Sequence, residues 1–218
     1  MKIHLNDTLG VVSLETDEAA KPSGVVILAH GAGAGMHHPF MTDLAKELAT
    51  SGLHVVRFNF PYMEEGRKSP GSPKKNIESW KLIINHTTKT FPNLPIYVSG
   101  KSYGGRMASH LLSETTPENV EGIIYYGFPL HAPGKDSKDR AAHLNMIKVP
   151  QLFLQGEKDK LANINLVSEV IDELRNSILI KIDNADHSFN VPKRTGFSKK
   201  DMIQKLAGHT TDFIKNLS

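Results

Sequence analysis

The 218-residue chain contains no cysteine, which excludes disulfides, thiolate metal centres and a cysteine nucleophile and suits a reducing compartment. It also lacks a long apolar run. The start, Met1 to Gly10, has no hydrophobic signal core, and the longest early run, Val25 to Ala29, is far short of the roughly 18 residues that a membrane span needs. A cytoplasmic location without a membrane partner is the expectation. Neither charge sign is in strong excess: 26 Lys and Arg stand against 23 Asp and Glu, a net +3, with no clustered basic stripe to suggest a nucleic-acid partner. Aromatic residues are sparse at 7%, and the 17 Gly and 12 Pro are ordinary usage, which excludes collagen-like and low-complexity chains. What remains, 39% apolar and 22% charged residues, is the composition of a globular protein, and the length suits one domain over residues 1–218.

The apolar pattern alternates strand with helix. Val25 to Ala29 is β-branched and continuously apolar, as a strand buried on both faces of a parallel sheet must be. Phe40, Leu44 and Leu48 then recur at helical spacing, and Gly52 stands where a helix C-terminus is capped. His54 to Phe58, Ile96 to Ser99, Val120 to Tyr126, Gln151 to Leu154 and Ile178 to Ile182 read as further strands. Helices are expected after a cap at Asn163, through Leu174, and after the capping-box signal Ser198-Lys199-Lys200-Asp201, through Leu217. Right-handed crossovers between such units give a three-layer α/β/α sandwich with a mostly parallel sheet and no lid domain. Segments around Ile3 and Val11 to Leu14 add antiparallel strands at an edge. Two long connections, Pro61 to Lys75 and Phe128 to Val149, are candidates for pocket walls.

The stretch from Ile96 to Met107 carries a strand into a helix through Gly100-Lys101-Ser102-Tyr103-Gly104, the G-x-S-x-G pattern of a nucleophile elbow. A serine at that apex is exposed, and Gly100 and Gly104 relieve the clash where strand and helix converge. A serine hydroxyl needs a base to take its proton and an acid to orient that base. In open α/β sheets the functional crevice lies beyond the carboxyl ends of the strands. Asp159 follows one later strand and His187 the next, in the chain order serine, acid, histidine. Asp183 and Asp186 are rival acids, less favoured because each is so close to His187 in sequence. Oxyanion donors are expected from the N–H of Tyr103 and, in the loop His30-Gly31-Ala32-Gly33-Ala34-Gly35, from that of Ala32, with Gly33 the next candidate. Gly31 and Gly33 let that loop approach closely.

Other histidines read differently. His30 is expected to fix the glycine loop by hydrogen bonding, and the adjacent His37 and His38 lack a third ligand at metal spacing, so no metal is expected. Arg57, Arg67, Lys68, Lys101, Lys193 and Arg194 either line the crevice and favour an anionic acyl group or form a solvated face. Nucleotide motifs are incomplete: a P-loop needs glycine where Pro95 stands, and a dinucleotide fingerprint needs glycine at Met36. No cofactor is expected.

Taken together, the chain resembles the α/β-hydrolases. In detail it is similar to the small lidless branch related to dienelactone hydrolases, and especially to the group with testis-expressed and chromatin-complex relatives. The stretches HGAGAGMHHPFM, RFNFPYME, GKSYGGRMAS, YGFPLHAPGK, LFLQGEKD and ADHSFNVPKR carry the resemblance. Dienelactone hydrolases have a cysteine where Ser102 stands. The resemblance implies an acyl-bond hydrolase with a small-molecule substrate. The alternative is an interaction module that keeps the fold without the activity.

Overall fold

The computed structural model describes residues 1–217. Eight strands form one sheet: β1 (Lys2–Asn6), β2 (Gly10–Asp17), β3 (Gly24–Ala29), β4 (Leu53–Phe58), β5 (Ile96–Lys101), β6 (Val120–Tyr126), β7 (Gln151–Gly156) and β8 (Ser177–Ile182). Their order across the sheet is β1-β2-β4-β3-β5-β6-β7-β8. From β4 to β8 every pairing is parallel, while β2 joins β4 and β1 joins β2 antiparallel. The helices are α1 (Pro39–Thr50), α2 (Pro61–Glu64), α3 (Pro73–Thr90), α4 (Tyr103–Glu114), α5 (Ile164–Asp172) and α6 (Lys199–Lys215).

Period-two alternation along β3 explains the three layers. Val25, Ile27 and Ala29 join a core built with α3, α4 and α5, whereas Val26 and Leu28 join a second core with α1 and α6. All five are fully buried, and burying each larger one favours folding by roughly 1.5–3 kcal/mol. Only a continuously apolar strand satisfies both layers at once. Trp80, the single tryptophan, adds a directed contact by donating its indole N–H to the Gly104 carbonyl at 3.0 Å. That bond ties α3 to the first turn of α4.

The expected caps are present. The Asn163 side chain accepts from Asn165 N–H, and Ser198 with Asp201 forms a reciprocal capping box. Gly52, at φ 92°, follows the end of α1. Some boundaries differ from the pattern in the sequence. Leu174 and Leu217 lie beyond the ends of α5 and α6. β5 continues to Lys101 and β7 to Gly156, since ladder pairing persists at Lys101↔Tyr126 and Gly156↔Ile182. The connection from Pro61 is not an open loop. It starts with the short helix α2, and α3 already begins at Pro73, both with proline at the first turn, where its missing N–H costs nothing. The connection from Phe128 holds two single 3-10 turns. No lid domain is inserted, and among the described residues no helix is long and apolar enough to cross a membrane.

Candidate active site

The turn from β5 into α4 places Ser102 at φ 50°, ψ −111°, a backbone state that non-glycine residues rarely hold without support. Support comes from both flanks. Ser102 N–H donates to the Tyr126 carbonyl at 3.1 Å, which extends the β5–β6 ladder into the turn, and its carbonyl accepts from Arg106 N–H at 3.1 Å. The flanking glycines are sterically required. A Cβ on Gly100 would overlap the backbone nitrogen of Gly105, and one on Gly104 would stand 2.7 Å from the carbonyl oxygens of Ala29 and His30.

Asp159 and His187 come from neighbouring loops beyond β7 and β8, and backbone bonds join those loops. Glu157 N–H donates to Ile182 O at 3.1 Å and Lys158 N–H to Ala185 O at 2.8 Å. Gly156 makes this approach possible, because a Cβ there would overlap the Ala185 carbonyl oxygen. The structure therefore brings together three residues widely separated in sequence. His187 Nδ1 lies 2.6 Å from Asp159 Oδ2, and His187 Nε2 lies 2.9 Å from Ser102 Oγ. Asp159 is buried and also accepts from the Gln155 side-chain amide at 2.6 Å and from Leu161 N–H at 2.7 Å. With donors on both oxygens the carboxylate accepts the Nδ1 proton, leaving the Nε2 lone pair toward the serine hydroxyl. Asp186 does not take that role. Its carboxylate accepts from Ser188 N–H at 2.8 Å and Asn190 N–H at 2.9 Å and so shapes the loop that carries His187.

The glycine loop runs along the other side of Ser102. A Cβ on Gly31 would be in contact with Ser102 Cβ at 3.7 Å, so the backbone passes directly over the elbow. Gly33 holds φ 73°, a left-handed state suited to glycine. His30 accepts from Phe60 N–H at Nε2, 3.1 Å, and donates from Nδ1 to Gly31 O, 2.8 Å. Burial pushes its pKa down to about 4, so it is neutral and structural. Arg57 departs from the crevice position considered for it: it is buried, paired with Asp17 at 2.8 Å and Glu15 at 3.1 Å, and donates to Met36 O at 2.7 Å. Asn59 accepts from Met36 N–H at 2.9 Å. The RFNF stretch thus holds the glycine loop in place. Arg67 pairs instead with Glu65.

Gly31, Ala32, Phe40, Met41 and Leu161 line a cavity of about 360 Å³ whose floor holds Lys101, Ser102 and His187. Ala32 is therefore at the cavity wall, and Tyr103 supplies the first N–H of α4, which has no acceptor within the helix. Its side chain turns to Asn76, whose amide donates to the Tyr103 hydroxyl at 2.8 Å. Neither long connection borders this cavity. The residues that reading the sequence missed are supports: Gln155 behind Asp159, and Gly127 and Gly156 at strand ends. A glycine ending a strand is the local signal of such close approach, whereas the partner of Gln155 has none. Among the described residues, no group of three or more His, Cys, Asp or Glu side chains is placed to hold a metal ion.

Comparison with known proteins gives the same architecture. A family profile described as an alpha/beta hydrolase domain matches residues 22–215. Among solved structures, a dienelactone hydrolase from Anabaena variabilis superposes with a TM-score of 0.80 at 19% identity, covering 99% of this chain and 95% of that one. An alpha-beta serine hydrolase homologue from Coxiella burnetii gives 0.74 at 20% identity, covering 100% and 97%. A serine hydrolase without a lid from Xanthomonas campestris gives 0.73 at 19% identity, covering 99% and 94%.

Proposed function

The chain belongs to the alpha/beta hydrolase domain family, and from that premise we propose that it is a serine hydrolase cleaving a carboxylic ester or thioester through Ser102, His187 and Asp159. The observation that carries this reading is the continuous relay from Asp159 Oδ2 to His187 at 2.6 Å and from His187 to Ser102 Oγ at 2.9 Å. In the reaction Ser102 Oγ bonds to the acyl carbon while its proton passes to His187 Nε2. The carbonyl oxygen gains the electron pair and is met by the N–H groups of Ala32 and Tyr103, each supplying roughly 3 kcal/mol. When the tetrahedral adduct collapses, the bond to the leaving group breaks and that group takes the Nε2 proton. Water then attacks the acyl-enzyme with His187 as base, and Ser102 recovers its proton as the acid departs. Asp159 keeps its charge throughout and stabilises the transient imidazolium. This chemistry requires only water as second substrate.

The stretches HGAGAGMHHPFM, RFNFPYME, GKSYGGRMAS, YGFPLHAPGK, LFLQGEKD and ADHSFNVPKR support assigning the chain to the small lidless branch and, within it, to the group with testis-expressed and chromatin-complex relatives. The absence of cysteine supports a cytoplasmic location. The expected partner is a small acyl compound. A panel of p-nitrophenyl esters and acyl thioesters of graded chain length tests the activity. Wild-type protein is expected to turn over at least one of them, and Ser102→Ala to lower kcat by about 1,000-fold or more. Equal turnover by both proteins would contradict the reading.

A further inference from the structure

Lys101 ends β5 beside Ser102 and has no part in the steps above. Its Nζ crosses to the loop beyond β8 and donates to the His187 carbonyl oxygen at 2.6 Å, a contact between positions 86 apart. The same ammonium lies 5.3 Å from the centroid of the Phe189 ring. Phe189 itself holds φ 61°, a left-handed state that a bulky residue keeps only when its surroundings enforce it. Gly127 shows how closely these groups are fitted. A Cβ there would stand 3.1 Å from Lys101 Nζ and 3.6 Å from His187 Cε1, so a glycine at the end of β6 leaves room for ammonium and imidazole together.

Lys101 is half-buried, and desolvation lowers its pKa to about 8. It is therefore charged at neutral pH. The charged groups facing it are Asp159 from the loop after β7 and Asp186 from the loop after β8. Its uncharged neighbours are Gly127, just beyond β6, and Gly31 in the loop after β3, where an added Cβ would stand 3.7 Å from Lys101 Cγ.

Resting on the acyl-transfer reading above, we propose that Lys101 is a positioning residue: its ammonium straps the His187 loop to the nucleophile elbow. The strap fixes the ring at the Oγ, where small misplacements cost rate steeply.

The test compares Lys101→Met, which has no donor, with Lys101→Arg, which keeps a charged donor. For an ester that the wild type hydrolyses, Lys101→Met is expected to lose roughly tenfold or more in kcat with KM little changed, and Lys101→Arg to recover most of that loss. A merely structural lysine would not separate kcat from KM. Circular dichroism checks folding. If Lys101→Met does not fold, Lys101→Gln, too short to bridge to the His187 carbonyl, takes its place. Amide hydrogen exchange over residues 187–190 reads the strap without turnover and is expected to be faster in the variant that lacks the bridge. Unchanged kcat together with unchanged exchange in that variant would overturn the proposal. A wild type inert toward every ester, with exchange still faster in the variant, would instead overturn the acyl-transfer reading and retain the strap.

Discussion

His30 shows how a single residue links the crevice to solution conditions. It is fully buried, its Nε2 accepts from Phe60 N–H, and burial lowers its pKa to about 4 against 6.5 for the free side chain. Between those values the unfolded chain binds a proton that the folded protein does not. Its stability contribution is therefore fully present above pH 6.5 and is lost as pH falls toward 4. The expected loss from this residue is about 2 kcal/mol between pH 7 and pH 5. Urea unfolding at the two pH values, in wild type and His30→Gln, checks it: the variant should show a decline smaller by that amount, and equal declines would assign the pH dependence elsewhere. Position in the chain predicted a structural role for His30. The acceptor bond to Phe60 was not legible, because it joins residues from loops after different strands.

At the scale of elements, the meeting of the β7 and β8 loops depends on Gly156. A Cβ there would overlap Ala185 O and stand 2.7 Å from Asp186 O, both backbone atoms that cannot swing aside. Gly156→Ala is expected to cost about 2 kcal/mol of stability and to lower kcat/KM further, since Asp159 and His187 stand on the two loops it would separate. Thermal unfolding and ester turnover test this, and an unchanged melting temperature would contradict it. The parallel strands were legible from runs such as Val25 to Ala29, which serve two cores at once. Their carboxyl ends were not, since the pairing at Lys101↔Tyr126 and Gly156↔Ile182 depends on neighbours that no local pattern reveals. Similarly, Pro61 and Pro73 read as loop punctuation but open helices, because proline is as compatible with a first helical turn as with a turn between strands.

Across the whole molecule, the parallel sheet delivers the loops after β3, β5, β7 and β8 to one rim, where Ala32, Ser102 and His187 border the same cavity of about 360 Å³ and Asp159 lies behind the histidine. Chain order and strand ends singled out Ser102, Asp159 and His187, the three side chains that the fold brings together. The scaffold that holds them, including Arg57 on Met36 O, Gln155 on Asp159 and Lys101 on His187 O, was not, because each bond spans elements whose relative placement only the fold defines. Every step of the proposed reaction requires Ser102 to be a nucleophile activated by His187. Intact-mass spectrometry after exposure to a fluorophosphonate measures this most directly. The prediction is one adduct per chain, mapped to Ser102, absent in Ser102→Ala and formed at least 100-fold more slowly in His187→Ala, on the order of the usual contribution of a general base. An unmodified wild-type protein at saturating probe, or an adduct on another residue, would contradict it.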